Sequence, residues 1–148
     1  MTASPILKRD LEDRLPGQAR AAGASLSILA VDDSSTNRLI MSRMLQALGH
    51  QVETAASGEQ AVEAAASRPF DLILMDVHMP GIGGVEAARR IRALPAPSGV
   101  GPIVPVTADA SSADEDGYRL AGMAGVLAKP FSATALLLMV ERTLSEAD

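Results

Sequence analysis

The 148-residue sequence contains no cysteine, and this absence excludes disulfide bonds, thiol catalysis and cysteine-ligated zinc. It also contains no tryptophan, and its only aromatic residues are Phe70, Tyr118 and Phe131. A core built from this sequence must therefore consist mainly of leucine, isoleucine, valine, methionine and alanine. Hydrophobic residues make up 47% of the chain, which is enough for a globular core and excludes disorder over most of its length.

Positive charge is also scarce, because 13 lysine and arginine residues are outnumbered by 18 acidic residues and the net charge is −5. This balance argues against a nucleic-acid-binding surface. No apolar run reaches the roughly 18 residues of a membrane span, and charges interrupt the opening MTASPILKRDLEDRL where a secretory signal needs an apolar stretch. We therefore expect a cytoplasmic protein that binds neither nucleic acid nor a membrane.

Residues 1–25 differ in pattern from the rest of the chain. Leu7, Leu11 and Leu15 recur every four residues, and residues 17–25 are mostly alanine and glycine. The pattern predicts an N-terminal helix and flexible linker over residues 1–25, followed by a globular domain over residues 26–148. The leucine stripe is apolar enough either to dock on that domain or to pair with a second copy of the chain as a weak homodimer.

Five short apolar runs alternate with five helical patterns after residue 26. The predicted strands are 28–31, 50–56, 71–77, 103–107 and 125–128, and the predicted helices are about 34–48, 57–67, 85–94, 111–121 and 132–144. The apolar face of the first helix is expected to consist of Leu39, Ile40, Met44, Leu45 and Leu48. Apolar strands separated by helices predict an α/β fold with a doubly wound parallel sheet and helices on both faces.

Polar side chains follow four of the five predicted strands. Asp32 and Asp33 end the first strand, Asp76 ends the third, Thr107 ends the fourth, and Lys129 follows the fifth. The carboxyl ends of parallel strands meet at one edge of the sheet, and sites in such folds lie there. We therefore expect three carboxylates, a hydroxyl and an ammonium group to converge.

Three carboxylates in one place repel one another unless a cation lies among them. Because the ligands are oxygen atoms and cysteine is absent, the pattern indicates Mg²⁺, with Mn²⁺ as an alternative, rather than zinc. Lys129 would add positive charge for an incoming phosphoryl group, and Thr107 would add a hydrogen bond. These groups suit phosphoryl transfer, in which a carboxylate is able to act as the nucleophile and become an aspartyl phosphate.

Four segments, in order, carry a resemblance to a known family: ILAVDDSSTNR, LILMDVHMPGIGGVEAARRIR, IVPVTAD and LAKPF. Over residues 26–145 the chain resembles the CheY-like receiver domain of two-component response regulators, and it is most similar to receivers of hybrid sensor histidine kinases. The resemblance implies a flavodoxin-like, five-stranded parallel sheet in the order 2-1-3-4-5. It also implies phosphorelay signalling, either as a stand-alone regulator or as the receiver of a hybrid kinase.

The resemblance implies roles for the acidic residues. Asp76 would accept a phosphoryl group from a phosphohistidine of a sensor histidine kinase or of a histidine phosphotransfer protein. Asp32, Asp33 and Asp76 would hold Mg²⁺ together with the backbone carbonyl of His78. The side chain of His78 would line the mouth of the site, and His50 is expected at the surface.

Thr107 and Lys129 would complete the catalytic set. Thr107 would bond a phosphoryl oxygen and report the phosphorylated state. Lys129 would pair with the phosphoryl group or, without it, with Asp76, and a cis peptide bond would precede Pro130. The chain would catalyse its own phosphorylation and slowly hydrolyse the product, without the turnover of a conventional enzyme. Any kinase activity would belong to a parent hybrid kinase.

Two positions depart from the family pattern. Val126 stands where related receivers usually carry a tyrosine or phenylalanine, which swings inward when the threonine moves. Gly83-Gly84 replaces a common Asp-Gly, and we expect this change to loosen the turn without affecting the chemistry. Val126 leaves a pseudo-receiver, a phosphorylation-independent interaction module, as the alternative function. A hydrolase with an aspartyl-phosphate intermediate is a further alternative, although His78 stands where that class needs a second carboxylate.

Overall fold

The computed structural model describes residues 25–109 and 114–147. The strands are β1 (Ser27–Val31), β2 (Gln51–Ala55), β3 (Leu72–Asp76), β4 (Ile103–Thr107) and β5 (Leu127–Ala128), and the helices are α1 (Ser35–Ala47), α2 (Gly58–Ser67), α3 (Gly84–Arg92), α4 (Glu115–Leu120) and α5 (Ala133–Ala147). The helix and linker predicted for residues 1–25 lie, except for Ser25, outside the described residues. That domain division therefore stays a prediction.

The five strands form one parallel sheet in the order β2-β1-β3-β4-β5. This order is the one implied by the resemblance, and the predicted doubly wound α/β fold is confirmed. The register pairs Val31 with Ala55 and Met75, and it pairs Asp76 with Val106. The carboxyl ends of the strands therefore meet at one edge, which we call the carboxyl edge; the opposite side is the amino edge.

Alternation of side chains along the strands divides the core into two apolar layers. Leu29 and Ile73 belong to the layer that packs against α2, α3 and α4. Ile28 and Leu72 belong to the layer that packs against α1 and α5. Every residue of β3 and β4 is buried, which explains why these strands read as continuous apolar runs.

Helix α1 buries a narrower face than its sequence indicates. Met41 and Leu45 are buried, whereas Leu39 is 53% exposed, Ile40 is 40% exposed and Leu48 is 39% exposed. The predicted apolar face is therefore wrong at Leu39, Ile40 and Leu48. Apolar residues occur on more than one side of this helix, and only one stripe meets the sheet. Met41 and Leu45 form that stripe because residues four apart lie one above the other.

Serine residues cap the start of three of the helices. Ser34 accepts a hydrogen bond from the backbone N–H of Asn37, and Ser57 accepts one from that of Gln60. Ser132 does the same for Ala135 at the start of α5. These caps satisfy backbone donors that the first helical turn leaves without a partner. None of the helices that the structure describes is long and apolar enough to cross a bilayer.

Strand β5 is shorter than predicted, and Pro105 explains why. The backbone N–H and C=O groups of successive β4 residues point alternately toward β3 and toward β5. The carbonyl of Val106 accepts a hydrogen bond from Val77, after β3, and the carbonyl of Thr107 accepts one from Lys129, after β5. By this alternation the nitrogen of Pro105 points toward β5. A proline nitrogen has no hydrogen to donate. The β4–β5 pairing is therefore confined to two residue pairs.

Candidate functional site

Asp32, Asp33 and Asp76 come together at the carboxyl edge. Each residue offers a carboxylate oxygen, and these atoms lie within 4.8 Å of one another. Asp32 and Asp76 are 1% and 2% exposed, whereas Asp33 is exposed. The structure thus brings together the three carboxylates that the strand ends predicted. Two buried carboxylates this close to each other require a compensating positive charge.

Lys129 supplies positive charge between the two buried carboxylates. Its Nζ lies 2.9 Å from Asp32 Oδ2 and 3.1 Å from Asp76 Oδ1. Burial acts to lower the pKa of Lys129, but the hydrogen bonds to Asp32 and Asp76 outweigh it, so the pKa is raised. Lys129 therefore remains an ammonium and offsets the repulsion between the carboxylates. The peptide bond between Lys129 and Pro130 is cis, as the resemblance implied.

The two oxygens of Asp76 differ in their surroundings. Oδ1 accepts hydrogen bonds from Lys129 and, at 3.4 Å, from the backbone N–H of His78. Oδ2 is buried, and no hydrogen-bond donor contacts it in the part of the chain that the structure describes. Burial raises the pKa of Asp76 and the charge of Asp32 adds to the rise, while Lys129 opposes it. A buried oxygen without a donor is costly to maintain and is available to a cation or an electrophile.

The start of α1 holds Asp32 in place. Ser34 donates its backbone N–H to Asp32 Oδ1 at 2.9 Å, and Asn37 donates Nδ2 to Asp32 Oδ2 at 3.4 Å. The Arg38 guanidinium donates to the backbone carbonyl of Asp32 at 2.8 Å. The sequence analysis missed Asn37 and Arg38 as positioning residues. The sequence feature that could have indicated this role is their position about one helical turn after the aspartate pair.

Thr107 lies at the same edge, at the end of the strand next to that of Asp76. It is 1% exposed and follows Val106, the register partner of Asp76. Its Oγ1 accepts a hydrogen bond from the backbone N–H of Asp109 at 3.1 Å. The same hydroxyl donates a hydrogen bond to the backbone carbonyl of Asp109 at 3.3 Å.

The turn between β3 and α3 is packed closely against Asp76. A Cβ atom at Gly84 would overlap the backbone carbonyl of Asp76, and one at Gly83 would lie 3.1 Å from the carbonyl of Val77. The N–H of Gly84 donates to that same Val77 carbonyl at 2.9 Å. Gly84 therefore permits close packing against Asp76, and the expectation that Gly83-Gly84 loosens the turn stays a prediction. His78, in this turn, is exposed at the mouth of the site.

Comparison with known proteins assigns the family. The family model described as "Response regulator receiver domain" matches residues 28–141, well over half of the chain. The chain belongs to this receiver domain family. The receiver is 40% identical over 106 residues to the signal transduction histidine-protein kinase BarA of Escherichia coli K12, covering 72% of this chain and 11% of BarA. It is 34% identical over 151 residues to the virulence sensor protein BvgS of Bordetella pertussis, covering 96% of this chain and 12% of BvgS.

The chain thus spans only about a tenth of the length of these two curated relatives. Two solved structures are much closer to this chain in length. The Vibrio cholerae chemotaxis protein CheY4 has a TM-score of 0.76 and 36% identity, covering 81% of this chain and 99% of that one. The receiver domain of sensor histidine kinase PA1611 from Pseudomonas aeruginosa PAO1, with a magnesium ion coordinated in its active-site cleft, has a TM-score of 0.74 and 37% identity, covering 82% and 99%. The receiver fold and its place in two-component signalling are confirmed.

Proposed function

We propose that this receiver accepts a phosphoryl group on Asp76 from a phosphohistidine, in a reaction that depends on Mg²⁺. The observation that carries the proposal is the buried Oδ2 of Asp76, which lies beside Asp32, Asp33 and Lys129 and accepts no hydrogen bond within the described residues. A carboxylate oxygen of Asp76 would attack phosphorus. The bond from phosphorus to the histidine nitrogen would break, and that nitrogen would keep the electron pair.

The donor set fits a hard divalent cation. Asp32, Asp33 and Asp76, with one ammonium at Lys129, carry a formal net charge of −2. All the side-chain donors are carboxylate oxygens, which suits Mg²⁺ and also Mn²⁺. These three residues, with the backbone carbonyl of His78, would hold the ion. When bound, it would neutralise negative charge on the carboxylates and on the phosphoryl oxygens.

Lys129 and Thr107 would serve the transferred group. Lys129 pairs with Asp76 Oδ1 in the present structure, so it is already beside the nucleophile. The Lys129 ammonium would exchange its ion pair with the carboxylate for one with a phosphoryl oxygen. The Thr107 hydroxyl would donate a hydrogen bond to a second phosphoryl oxygen. Both groups would be held before the reaction begins, which is how an enzyme site lowers the cost of charge movement.

The exposed apolar residues of α1 support a docking site for the phosphohistidine donor. Leu39 and Ile40 are both exposed, and they lie on the helix whose first turn contacts Asp32. Neighbouring exposed apolar side chains that form a patch rimmed by polar residues mark protein–protein contact sites. A sensor histidine kinase or a histidine phosphotransfer protein would bring its histidine to Asp76 across this surface. Similarity to the histidine-protein kinase BarA supports a donor of this class.

The test is labelling with acetyl phosphate and Mg²⁺. The full chain should gain one phosphoryl group that is labile to hydroxylamine, as an acyl phosphate is. Asp76→Asn should gain none, because an amide is a poor nucleophile. Asp71→Asn, which changes a carboxylate at the amino edge, is the matched control and should be labelled like the wild type. Labelling of the Asp76→Asn variant would show that the acceptor is misassigned.

The alternative functions make different predictions for the same protein. A pseudo-receiver would show no saturable change in NMR shifts near Asp33 and Asp76 when Mg²⁺ is added. A hydrolase would turn over a generic phosphate ester many times, whereas the receiver would hydrolyse only its own slowly decaying acyl phosphate. The intact set of carboxylates with Lys129 supports the receiver over the pseudo-receiver.

A further inference from the structure

Residues 77–83 connect β3 to α3, and they include His78, whose backbone carbonyl is a proposed ligand of the metal ion. The two ends of this connection are held by backbone hydrogen bonds. The N–H of Val77 donates to the Val106 carbonyl at 3.1 Å, and the N–H of Gly84 donates to the Val77 carbonyl at 2.9 Å. The position of its middle depends on the contacts that the middle makes with other elements.

Glu59 contacts the middle of this connection from the first turn of α2. Its Oε2 accepts a hydrogen bond from the backbone N–H of Ile82 at 3.3 Å. In the part of the chain that the structure describes, no other hydrogen bond joins residues 79–82 to the rest of the domain. Glu59 is also well placed on its own helix, because the dipole of a helix favours a negative charge in the first turn.

Two glycines permit the close approach of the connection to the start of α2. Gly58 is buried, and a Cβ atom there would lie 2.6 Å from Ile82 Cγ1 and 2.7 Å from the Ile82 carbonyl oxygen. Gly81 has a φ of +79°, and a Cβ atom there would lie 2.8 Å from Glu59 Oε2. Only glycine adopts this left-handed conformation at little cost. The hydrogen bond from Ile82 to Glu59 therefore belongs to a closely packed contact between backbone segments.

We propose that Glu59 is a positioning residue for the metal site, because it holds residues 79–82 and thereby limits the movement of the adjacent His78 carbonyl. This inference rests on the proposed function, in which that carbonyl and three carboxylates hold the ion. Mg²⁺ demands near-ideal octahedral geometry, so a ligand that is ordered before binding raises the affinity. Glu59 itself lies outside the proposed ligand set and acts through the backbone.

Titration of the full chain with Mg²⁺, followed by NMR shifts near Asp33 and Asp76, measures the effect on affinity. Glu59→Ala removes the acceptor of the Ile82 N–H, so the Kd for Mg²⁺ should rise about two- to tenfold, the worth of one hydrogen bond. Glu63→Ala is the matched control. Glu63 is exposed and lies one turn further along the same helix, so the variant changes the same charge and should leave the Kd unchanged.

Two further variants separate the hydrogen bond of Glu59 from its charge. Glu59→Gln keeps the length of the side chain and an oxygen that accepts, so it should bind Mg²⁺ like the wild type. Glu59→Asp keeps the charge but is one methylene shorter, so it should lose contact with Ile82 and weaken binding as Glu59→Ala does. A direct attraction between the Glu59 charge and the cation would produce the reverse order.

The Ile82 amide reports on the same contact without any metal. Its rate of hydrogen exchange, measured by NMR in the absence of Mg²⁺, should increase in Glu59→Ala and in Glu59→Asp. The rate in Glu59→Gln should match that of the wild type. Urea denaturation of the same variants identifies conditions in which all of them are folded, so that the comparison reports the local contact.

The outcomes distinguish this inference from the proposed function on which it rests. A Kd of Glu59→Ala equal to that of the wild type would overturn the inference while leaving the proposed function intact. A loss of affinity in Glu59→Gln as large as in Glu59→Ala would do the same, because it would assign the effect to charge. An absence of saturable Mg²⁺ binding by the wild-type chain would overturn both.

Discussion

The two edges of the sheet differ in the charge that they bury. At the amino edge, the Leu26 N–H is accepted by His50 Nδ1 at 3.1 Å, and the Ser27 N–H is accepted by Asp71 Oδ2 at 2.8 Å. At the carboxyl edge, two buried carboxylates share one ammonium, and Asp76 Oδ2 accepts no hydrogen bond from the described residues. Among the described residues, the buried side-chain atom without a partner at the amino edge is the neutral Ser27 Oγ, whereas at the carboxyl edge it is an oxygen of a carboxylate.

The pKa values of titratable groups also differ between the two edges. Burial lowers the pKa of His50, against the effect of Asp71, so the imidazole stays neutral and its Nδ1 stays an acceptor. Burial raises the pKa of Asp76, so the charged form of this carboxyl group destabilises the folded protein. A cavity of about 600 Å³, bordered by Phe70 and Pro102, lies at the amino edge. The cluster of carboxylates lies at the opposite edge from this cavity.

The largest expected effect that distinguishes the edges concerns catalysis. Lys129→Met removes the ammonium beside Asp76 Oδ1, and phosphorylation by acetyl phosphate should slow about a hundredfold, as when a preorganised donor is lost from a reaction site. His50→Gln at the amino edge should change the rate by less than about twofold, since it contacts no proposed reacting group. Initial rates of label incorporation measure both. Equal rates for the two variants would remove the functional distinction between the edges.

The next effect concerns packing behind the carboxyl edge. Gly84→Ala places a methyl group against the Asp76 carbonyl and should lower the free energy of unfolding by about 1–3 kcal/mol. Gly117→Ala in α4 is the matched control, because a Cβ there meets nothing within 4 Å. It should raise the free energy of unfolding by about 0.5–1 kcal/mol. Urea denaturation measures both changes, and a neutral Gly84→Ala would show that the turn is looser than the structure indicates.

The smallest effect compares one carboxylate at each edge. Without Mg²⁺ at pH 7, Asp76→Asn should raise the free energy of unfolding by about 1 kcal/mol, because it removes a buried charge while Lys129 keeps Asp32 as a partner. Asp71→Ala should lower it by about 1–2 kcal/mol, because the Ser27 N–H loses its acceptor. Thermal and urea unfolding measure both. Changes of the same sign would contradict the contrast between the edges.

The pH dependence of the Asp76→Asn effect has a definite sign. The pKa of Asp76 is raised in the folded state, so its protonated form favours folding, and this contribution is lost as the pH rises through the raised pKa. The advantage of Asp76→Asn over the wild type should therefore vanish below the usual carboxyl pKa of about 4 and grow as the pH rises. A constant advantage across this range would mean that charge on Asp76 is not its cause.

The fold and the grouping of the acidic residues could be predicted from local pattern. The bounds of β4 match the prediction, since a short apolar run bounded by proline and a polar residue has few alternative readings. Convergence of Asp32, Asp33 and Asp76 followed from one topological fact, that the carboxyl ends of parallel strands share an edge. The pattern also indicated a divalent cation among these carboxylates, and the resemblance added which of them would accept the phosphoryl group.

Other features depended on three-dimensional neighbours that a linear pattern does not contain. Leu39 and Ile40 are as hydrophobic as Met41, so hydropathy alone could not select the stripe that meets the sheet. His50 is half-buried rather than at the surface because Leu26 needs an acceptor, and that need appears only when the two segments are adjacent. Tyr118 lies on a polar helix, and only the fold shows that its ring is buried in the apolar layer with residues of α2 and α3.

Pro105 has a mechanical consequence for the site. It limits the pairing of β5 with β4 to two residue pairs, and Lys129 follows directly after them. The cation that balances two buried anions is thus carried by the most lightly tethered strand of the sheet. Few backbone hydrogen bonds join that strand to β4, so a small shift of β5 would move the ammonium relative to both carboxylates.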